Sequence, residues 1–298
     1  MRISDRWHDY DLIDTASGER LERWGEYILI RPDPQVIWVE RTSNLWEKAA
    51  ARYHRSANGG GQWEFLHKLP EDWQISWQGI ENTPQLHFKI SPMGFKHTGI
   101  FPEQAVNWEY LQVWITELLK KHNTAPRVLN LFAYTGGATL ACLAAGAHVT
   151  HVDAAKGMVQ RAKENAGLSG LAERPMRWIV EDCLKFTQRE VRRGVKYDII
   201  IMDPPSYGRG PGGEVWKFEE QINRLLDTCI PLLQPSGLLL LNFYTESFSP
   251  GVIEYFLRQK LLPRFGGEVH ADEIGLRVSA TDWVLPCGAT AMWQGKKP

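Results

Sequence analysis

The chain has 298 residues, of which 43% are hydrophobic and 23% are charged, and its formal net charge is −1. This is the composition of a folded globular protein, and the length accommodates one large domain or a large domain with a small companion. No apolar run reaches membrane-spanning length, and the near-neutral charge argues against a protein that coats nucleic acid through bulk positive charge.

The first residues, MRISDRW, lack the apolar core of a signal peptide, so we expect a cytoplasmic protein without a membrane partner. The nine histidines form no metal-ligand motif, and we predict no metal. The four cysteines are far apart, which predicts buried thiols in a reducing compartment. They are Cys142, Cys183, Cys229 and Cys287.

Residues 1–95 differ in composition from the rest of the chain. Short alternating runs at 27–30 and 36–39 are separated by turn signals at 32–34 and 58–61, and this pattern predicts a small, mostly antiparallel β domain. Two interpretations of its tryptophans are open: they fill a small core, or they stack on nucleic-acid bases. The seven tryptophans are Trp7, Trp24, Trp38, Trp46, Trp63, Trp73 and Trp77.

The clearest pattern in the chain follows a predicted helix at 106–121. An apolar strand at 127–132 leads into a turn with paired glycines at 133–137, and small helix formers at 138–145 come next. This order predicts a β-turn-α unit. The backbone N–H groups of the turn and the N-terminus of the helix suit an anionic or zwitterionic ligand.

Each of the next three predicted strands ends at an acidic residue. Open α/β sheets bind ligands at the carboxyl ends of their strands, so these carboxylates are candidate site residues. The first of them, about 20 residues past the glycine turn, is placed to accept hydrogen bonds from both hydroxyls of a ribose. The three pairs are 148–152 with Asp153, 177–181 with Asp182, and 198–202 with Asp203.

The remainder of the chain continues the alternation of strands and helices. Two interpretations of the glycine-rich loop at 208–213 are open: it closes over a substrate, with Arg209 or Lys217 meeting a phosphate, or it is a surface loop. The basic clusters at 120–121 and 189–196 favour solvated helix faces over an RNA-binding patch. The predicted elements are helices at 218–233 and 252–262, a fifth strand at 238–241, and an antiparallel pair at 268–274 and 284–293.

Taken together, these motifs resemble class I S-adenosylmethionine (SAM) dependent methyltransferases. Residues 132–137 (FAYTGG) and 203–207 (DPPSY) are similar to segments of the bacterial large-subunit (23S) ribosomal RNA methyltransferases that include the cytosine-5 and guanine-N7 enzymes. Residues 96–104 (KHTGIFPEQ) resemble that family's Lys-Thr-Gly-aromatic-aromatic-Leu-Asp-Gln-Arg segment, with an extra His97 and with Ala105 in place of Arg.

The resemblance implies an α/β fold in which residues 96–298 form a Rossmann-like, seven-stranded methyltransferase domain behind the β domain at 1–95. The family's N-terminal RNA-binding module is not recognisable in this chain. The resemblance also implies SAM as the cofactor. In that case the turn receives the amino-acid tail, Asp153 the ribose, and Asp182 the adenine amino group.

Further cofactor contacts follow from the same resemblance. Cys183 and Met158 would line the faces of the adenine ring, and either Tyr134 or Phe101 would lie near the sulfonium. The complete set of expected SAM contacts is Phe101, Gln104, Phe132, Ala133, Tyr134, Thr135, Gly136, Gly137, Asp153, Ala154, Met158, Asp182, Cys183 and Asp203.

The expected catalytic residues are Asp203, Pro204, Pro205 and Tyr207. In relatives that methylate amino groups, the acidic side chain and a proline carbonyl accept hydrogen bonds from the target nitrogen, and the aromatic residue stacks on a flipped base. Cytosine-5 methylation needs a cysteine nucleophile. The cytosine-5 relatives carry one after the fifth strand, where this chain has NFYTES at 242–247. Nitrogen methylation of a base in ribosomal RNA, guanine or adenine, is therefore the leading hypothesis.

Two rival hypotheses stay open. The near-neutral charge and the missing RNA-binding module also fit a methyltransferase that acts on a small molecule or a protein side chain. A scaffold that binds SAM or RNA without catalysis is the third hypothesis, although every expected pocket position carries a usable residue. Because a fold does not determine a substrate, the sequence leaves this choice open.

Overall fold

The computed structural model describes residues 1–56, 60–210, 213, 215–245 and 247–296. Parts of the glycine-rich segments at 58–61 and 208–213 therefore lie outside the described residues. The side chains of Phe95 and Arg209 are not described either, so the predicted contact between Arg209 and a phosphate also lies outside them.

The N-terminal third forms strands with aromatic and β-branched side chains separated by tight turns. One five-stranded sheet has the order β2-β3-β4-β5-β6, and only its β4–β5 pair is parallel. Two more strands, β7 and β8, form an antiparallel pair. The strands are β1 (Arg2–Ser4), β2 (Tyr10–Ala16), β3 (Glu19–Trp24), β4 (Tyr27–Pro32), β5 (Ala51–Arg55), β6 (Gly61–Phe65), β7 (Trp73–Trp77) and β8 (Leu86–Ile90).

The rest of the chain alternates between helices and strands. Its helices are α1 (Ala105–His122), α2 (Gly137–Ala144), α3 (Lys156–Leu168), α4 (Cys183–Arg192), α5 (Phe218–Cys229) and α6 (Pro250–Phe265). Its strands are β9 (Arg127–Leu131), β10 (His148–Asp153), β11 (Met176–Val180), β12 (Tyr197–Met202), β13 (Tyr207–Arg209), β14 (Val215–Lys217), β15 (Leu233–Phe243), β16 (Glu268–Arg277) and β17 (Val284–Gln294).

The main sheet has eight strands in the order β1-β16-β17-β15-β12-β9-β10-β11. The five strands from β15 to β11 are parallel, so their carboxyl ends lie at one edge, and β17 is antiparallel to β15 and β16. The predicted fold class is confirmed, with one addition. Strand β1 from the extreme N-terminus pairs in parallel with β16 and adds an eighth strand to the expected seven.

Alternate residues of the parallel strands pack into two different cores, because side chains along a strand point to opposite faces. Val128 and Ile199 belong to the core that also contains residues of α1 and α2, whereas Leu129 and Ile200 belong to the core that contains residues of α4 and α5. Helices therefore cover both faces of the sheet, as the near-continuous apolar strands require.

The N-terminal strands share the first of these cores. Trp7 contacts both Trp77 and Trp108 of α1, with ring centroids 6.5 Å and 6.0 Å apart, and Trp24 and Trp77 are fully buried. The core interpretation of the tryptophans is thereby confirmed for these residues, whereas Trp38 is 40% exposed. The division of the chain into residues 1–95 and 96–298 stays a prediction.

Most predicted elements of the methyltransferase part are confirmed to within a few residues, including the helix at 106–121 and the antiparallel pair at the C-terminus. Two expectations were wrong. Residues 36–39 lie outside any strand, and α5 ends at Cys229, where a short 3-10 turn at Ile230–Leu232 replaces its last turn. Among the described helices, none combines the length and the apolar character that crossing a membrane requires.

Gly137 provides a test of how β9, the turn that follows it and α1 pack together. A Cβ atom at this position would lie 2.4 Å from Cζ2 of Trp108, which is buried. We expect Gly137→Ala to lower the free energy of unfolding by about 1–3 kcal/mol through overpacking. Gly157→Ala is the matched control, because a Cβ atom there meets nothing within 4 Å and alanine is the better helix former. Denaturant titration of both variants checks this, and equal stabilities would contradict the packing.

Candidate functional site

The turn after β9 has an unusual backbone. Phe132, Tyr134 and Gly136 have φ angles of 55°, 49° and 90°, all in the left-handed region. For the two aromatic residues this conformation costs free energy, and such strain persists only where surrounding contacts over-determine it. The N–H of Ala133 donates to Val152 O at 3.1 Å, which ties the turn to β10.

Side chains from other elements hold the turn from behind. Asn165 of α3 donates from Nδ2 to Thr135 O at 3.0 Å, and its Oδ1 accepts from the N–H of Lys89 at 2.9 Å. Thr135 Oγ1 donates to Gly99 O at 2.5 Å. The turn is therefore joined to the segment that precedes α1, which brings Phe101 and Gln104 beside it.

The N-terminus of α2 supplies hydrogen-bond donors at this place. The first helical bond of α2 runs from the N–H of Leu140 to Gly136 O, so the N–H groups at the start of the helix have no carbonyl partner within it. These groups form the positive end of the helix dipole. Together with the turn they suit a carboxylate or another anionic group.

Two of the predicted acids follow β10 and β11 at the same edge of the sheet. Asp153 accepts hydrogen bonds from the N–H of Tyr134 at 2.9 Å and from that of Ala155 at 2.8 Å, one at each carboxylate oxygen. Each oxygen keeps a second lone pair. Burial raises the pKa of Asp153, opposed by these two bonds. Asp182 caps α4 by accepting from the N–H of Lys185 at 2.9 Å.

The predicted adenine contacts lie close to these acids. Cys183 is buried directly under the turn, where its Sγ accepts a hydrogen bond from the N–H of Phe132 at 3.3 Å. Burial raises the pKa of this thiol well above its usual value. Ala154 and Met158 follow Asp153 and are half-buried.

Asp203, at the end of β12, is hydrogen-bonded to Asn242 at the end of β15. Asn107 of α1 donates from Nδ2 to Asn242 Oδ1 at 3.0 Å and to Gln104 Oε1 at 2.8 Å, and Gln104 donates to the Tyr244 hydroxyl at 2.5 Å. Desolvation, followed by the nearby Glu103, raises the pKa of Asp203 to about 7, despite the opposing bond from Asn242. Near neutral pH both the protonated and the ionised form of this carboxyl group are therefore populated.

The Asp-Pro-Pro-Ser-Tyr loop is fixed by residues that follow it. Trp216 donates from Nε1 to Pro205 O at 2.7 Å, and the N–H of Phe218 donates to Ser206 O at 3.0 Å. Pro204 is buried, whereas Pro205 and Tyr207 are exposed, Tyr207 to 54%. Of the two proline carbonyls, that of Pro205 is already occupied by Trp216.

Two concave spaces meet at Phe101. The smaller one lies at the turn, enclosing only about 40 Å³ in this conformation. The larger one, a cavity of about 470 Å³, opens between the N-terminal sheet and the ends of β15 and β17. Of the expected cofactor residues, the smaller space is lined by Phe101, Gln104, Phe132, Ala133, Tyr134, Thr135, Gly137 and Asp203.

Six expected cofactor residues do not line this space. Gly136 lies in the turn itself, and the other five follow β10 and β11 farther along the same edge of the sheet. The six residues outside the lining of the smaller space are Gly136, Asp153, Ala154, Met158, Asp182 and Cys183.

Several residues at the site were missed by the sequence reasoning. Asn107 is a buried amide within a mostly apolar helix, and that contrast is the only local signal among them. Trp216 and Asn242 act through partners on other elements, so their roles became visible only in the fold. The larger cavity also contains two unexpected residues, Arg20 from the N-terminal sheet and Cys287 from β17.

Residues 53–259 match the family of S-adenosylmethionine-dependent methyltransferases. The chain belongs to this family. The SAM-dependent methyltransferase from Agrobacterium tumefaciens is 37% identical in sequence to this chain. Its crystal structure superimposes with a TM-score of 0.89, and the alignment covers 99% of this chain and 93% of that one. Activity and cofactor follow: the protein is a SAM-dependent methyltransferase, as predicted.

Two relatives have names that specify a substrate. Ribosomal RNA large subunit methyltransferase K/L of Shewanella frigidimarina is 31% identical over 163 residues, which cover 54% of this chain and 22% of that protein. Ribosomal RNA large subunit methyltransferase I of Aeromonas salmonicida is 34% identical over 157 residues, which cover 49% of this chain and 36% of that protein. This methyltransferase therefore matches about a third or less of these relatives' length.

The surroundings of Asp203 predict an unusual titration. We expect its carboxyl group to titrate near pH 7, and Glu103→Gln to lower that pKa because a neighbouring negative charge is removed. Carboxyl-carbon NMR, assigned with Asp203→Asn, measures both values.

Since the folded-state pKa is raised, Asp203 favours folding below its unfolded pKa, and that contribution is lost as the pH rises towards 7. Asp203→Asn should accordingly gain stability over the wild type at pH 8 and not at pH 4, and a titration near pH 4 in the wild type would refute the assignment.

Proposed function

We propose that this methyltransferase modifies a base nitrogen in RNA, and that ribosomal RNA is its substrate class. The observation that carries the proposal is Asp203, a partly exposed carboxyl group with a raised pKa that lines the smaller space and precedes Pro204. An amino group needs hydrogen-bond acceptors at that place, and a carboxylate next to a backbone carbonyl supplies them.

The hydrogen-bond donors and acceptors at the turn match the polar groups of SAM. The N–H groups at the start of α2 suit the carboxylate of SAM, and the open lone pairs of Asp153 suit two ribose hydroxyls. The space at the turn is only about 40 Å³, with the rings of Phe101 and Tyr134 5.5 Å apart over it. We therefore infer that these rings move when SAM binds. When bound, SAM supplies a methyl group on a sulfonium.

The acceptors for the target nitrogen follow from which oxygens are already used. Pro205 O already accepts one hydrogen bond, from Trp216, and has one lone pair left. The proposed pair is the Asp203 carboxylate and Pro204 O. The bonds from Trp216 and Phe218 hold the loop in place before substrate arrives, and such positioning supplies much of the rate in displacement chemistry. Tyr207 is proposed to stack on the base.

Asp203 also provides a place for a proton. An amino nitrogen that gains a substituent must lose a proton, and a carboxylate within hydrogen-bond reach accepts it. A pKa of about 7 makes Asp203 a stronger base than an ordinary carboxylate while leaving about half of it ionised at neutral pH. Its bond with Asn242 orients the side chain for this task.

The cysteines disfavour methylation at cytosine C5, which requires a thiolate. Cys142, Cys183 and Cys229 are buried in the cores. Cys287 lines the larger cavity, but burial raises the pKa of its thiol to about 12, and its Sγ donates to Leu285 O at 3.3 Å. Cys287 is therefore a neutral thiol at pH 7.

The names of the two ribosomal RNA methyltransferases support RNA as the substrate, although this chain matches only part of each relative. The second candidate is a small molecule or a protein side chain. A net charge of −1 and a cavity of about 470 Å³ favour it, since small-molecule pockets have this size.

The proposed ribose contact gives a binding test. In Asp153→Asn, one of the two backbone N–H donors faces an amide NH₂ group, and the negative charge is lost. We expect the Kd for SAM to rise about 10- to 100-fold, the value of one or two charge-assisted hydrogen bonds. Asp198→Asn is the control, because Asp198 accepts from the N–H of Arg127 at the opposite edge of the sheet. Calorimetric titration should show nearly unchanged affinity there, and equal losses in both variants would exclude a specific ribose contact.

Methyl transfer tests the function itself. We expect labelled SAM to methylate RNA from cells that lack this protein, and nucleoside analysis to find the label on a guanine or adenine nitrogen. Asp203→Ala should lower kcat about 10²- to 10⁴-fold, and the wild-type rate should rise with pH through about 7 as Asp203 ionises.

Cys287→Ala distinguishes methylation of a nitrogen from methylation of cytosine C5 through a thiolate, because it removes only the cavity thiol. Retained activity is the expected result. A labelled C5-methylcytosine together with an inactive Cys287→Ala would replace the nitrogen mechanism by a thiolate one. Absence of label in RNA despite SAM binding would favour the small-molecule or protein substrate.

A further inference from the structure

The larger cavity is built from both parts of the chain. Its N-terminal wall comes from β3 and β4 and the residues after them, and its opposite wall comes from β15, β16 and β17. The segment from Lys96 to Glu103 lies between the two walls. A ligand in this cavity therefore contacts the N-terminal sheet and the methyltransferase sheet at once.

The cavity adjoins the smaller space, which Asp203 lines. Phe101 borders both spaces, and its ring centroid lies 6.2 Å from that of Tyr244, which lines the cavity. Electrostatic coupling agrees with this proximity: Glu103, also in the cavity wall, raises the pKa of Asp203, and Asp203 raises that of Tyr244. A substrate that is held at Asp203 and extends past Phe101 enters the cavity.

Two cationic side chains present unused donors there. Arg20 donates from Nε to Asp33 Oδ2 at 2.5 Å, and no described residue partners its terminal nitrogens Nη1 and Nη2. Lys96 uses one of its three N–H groups on Pro32 O at 3.0 Å. Exposed Arg55 stands in the same wall. Such a set of donors without acceptors matches an oxyanion.

The other charged groups of the cavity are Arg31 and three carboxylates, one of which, Glu103, is buried and interacts electrostatically with Arg20. Arg31 makes two hydrogen bonds to Glu22, at 2.5 Å and 2.7 Å, and so contributes little free charge. The carboxylates that line the cavity are Asp33, which pairs with Arg20, buried Glu103 and exposed Glu273.

The electrostatic environment of Lys96 supports the same conclusion. Burial, followed by the guanidinium groups of Arg31 and Arg20, lowers the pKa of Lys96 to about 8, and the carboxylate of Asp33 opposes this shift. His97 is neutral, because burial, followed by the charges of Arg31 and Lys96, lowers its pKa to about 4. An anion placed beside Lys96 would relieve the repulsion among these cations.

We propose that Arg20 and Lys96 bind a phosphate group of the substrate, and this inference rests on the proposed function. The phosphate belongs to the nucleotide whose base lies at Asp203. The N-terminal sheet then recognises substrate through Arg20. Arg55 stands where the neighbouring phosphate of a longer strand would enter.

Equilibrium binding of defined probes to the full chain tests this. The probes are guanosine and adenosine, their 5′-monophosphates, and inorganic phosphate as a competitor, each measured by calorimetry with SAM present. We expect one monophosphate to bind at least tenfold more tightly than its nucleoside, and inorganic phosphate to reduce that advantage. Lys96→Met should abolish most of the advantage while leaving nucleoside and SAM affinities unchanged.

The control and a second variant guard against misfolding. Lys89→Met removes a lysine that pairs with Asp72 and Glu164 outside the cavity, and it should keep the full preference for the monophosphate. Arg20→Gln keeps a hydrogen-bond donor for Asp33 and should also lose the preference. Thermal unfolding of each variant confirms that it is folded.

The outcomes separate this inference from the proposed function. Equal affinity for nucleoside and monophosphate, no binding of either, or an unaltered preference in both Lys96→Met and Arg20→Gln would overturn the phosphate site, even if RNA is methylated. A phosphate preference lost in both variants would support the site even if total RNA accepts no methyl group, and the function would then shift to a smaller phosphorylated substrate.

Discussion

The backbone of the turn after β9 is the constraint on which the rest of the site depends. Two aromatic residues in left-handed conformation are unfavourable, and they persist because Asp153 and Asn165 hold the turn through backbone hydrogen bonds. Trp108 packs so closely on Gly137 that no other residue fits there without displacement. The donors of α2, the carboxylate after β10 and the segment before α1 therefore come into register together.

The N-terminal strands belong to the same constraint. Strand β1 pairs with β16, and Trp7 packs against Trp108, the residue that also supports the turn. The wall that carries Arg20 is thereby tied to the sheet that carries Asp203. A hinge between these parts would change the distance from Arg20 to Asp203, whereas a shared core keeps that distance constant.

The sequence predicted those features that depend on neighbours along the chain. Alternation of apolar residues, the glycine turn and an acid at each strand end are local patterns, and the parallel sheet then brings the strand ends together. Features that join distant segments were not predictable in this way. The pairing of β1 with β16, the bond from Trp216 to Pro205 and the arrival of Arg20 and Cys287 at one cavity all require the folded chain. Residues 36–39 were misassigned because alternation without a strand partner has the same pattern as a strand.

Burial shifts the pKa values of the two ionisable side chains, Asp203 and Lys96, in opposite directions. Loss of solvent raises the pKa of Asp203 towards neutrality and lowers that of Lys96 towards the same range, because low dielectric disfavours both charges. At pH 7 Asp203 is about half ionised, whereas Lys96 is already mostly protonated. A hydrogen-bond donor brought to Asp203 favours its carboxylate, and an anion brought to Lys96 favours its ammonium form. The proposed substrate would in this way couple occupation of the cavity to ionisation of Asp203 in the adjoining space.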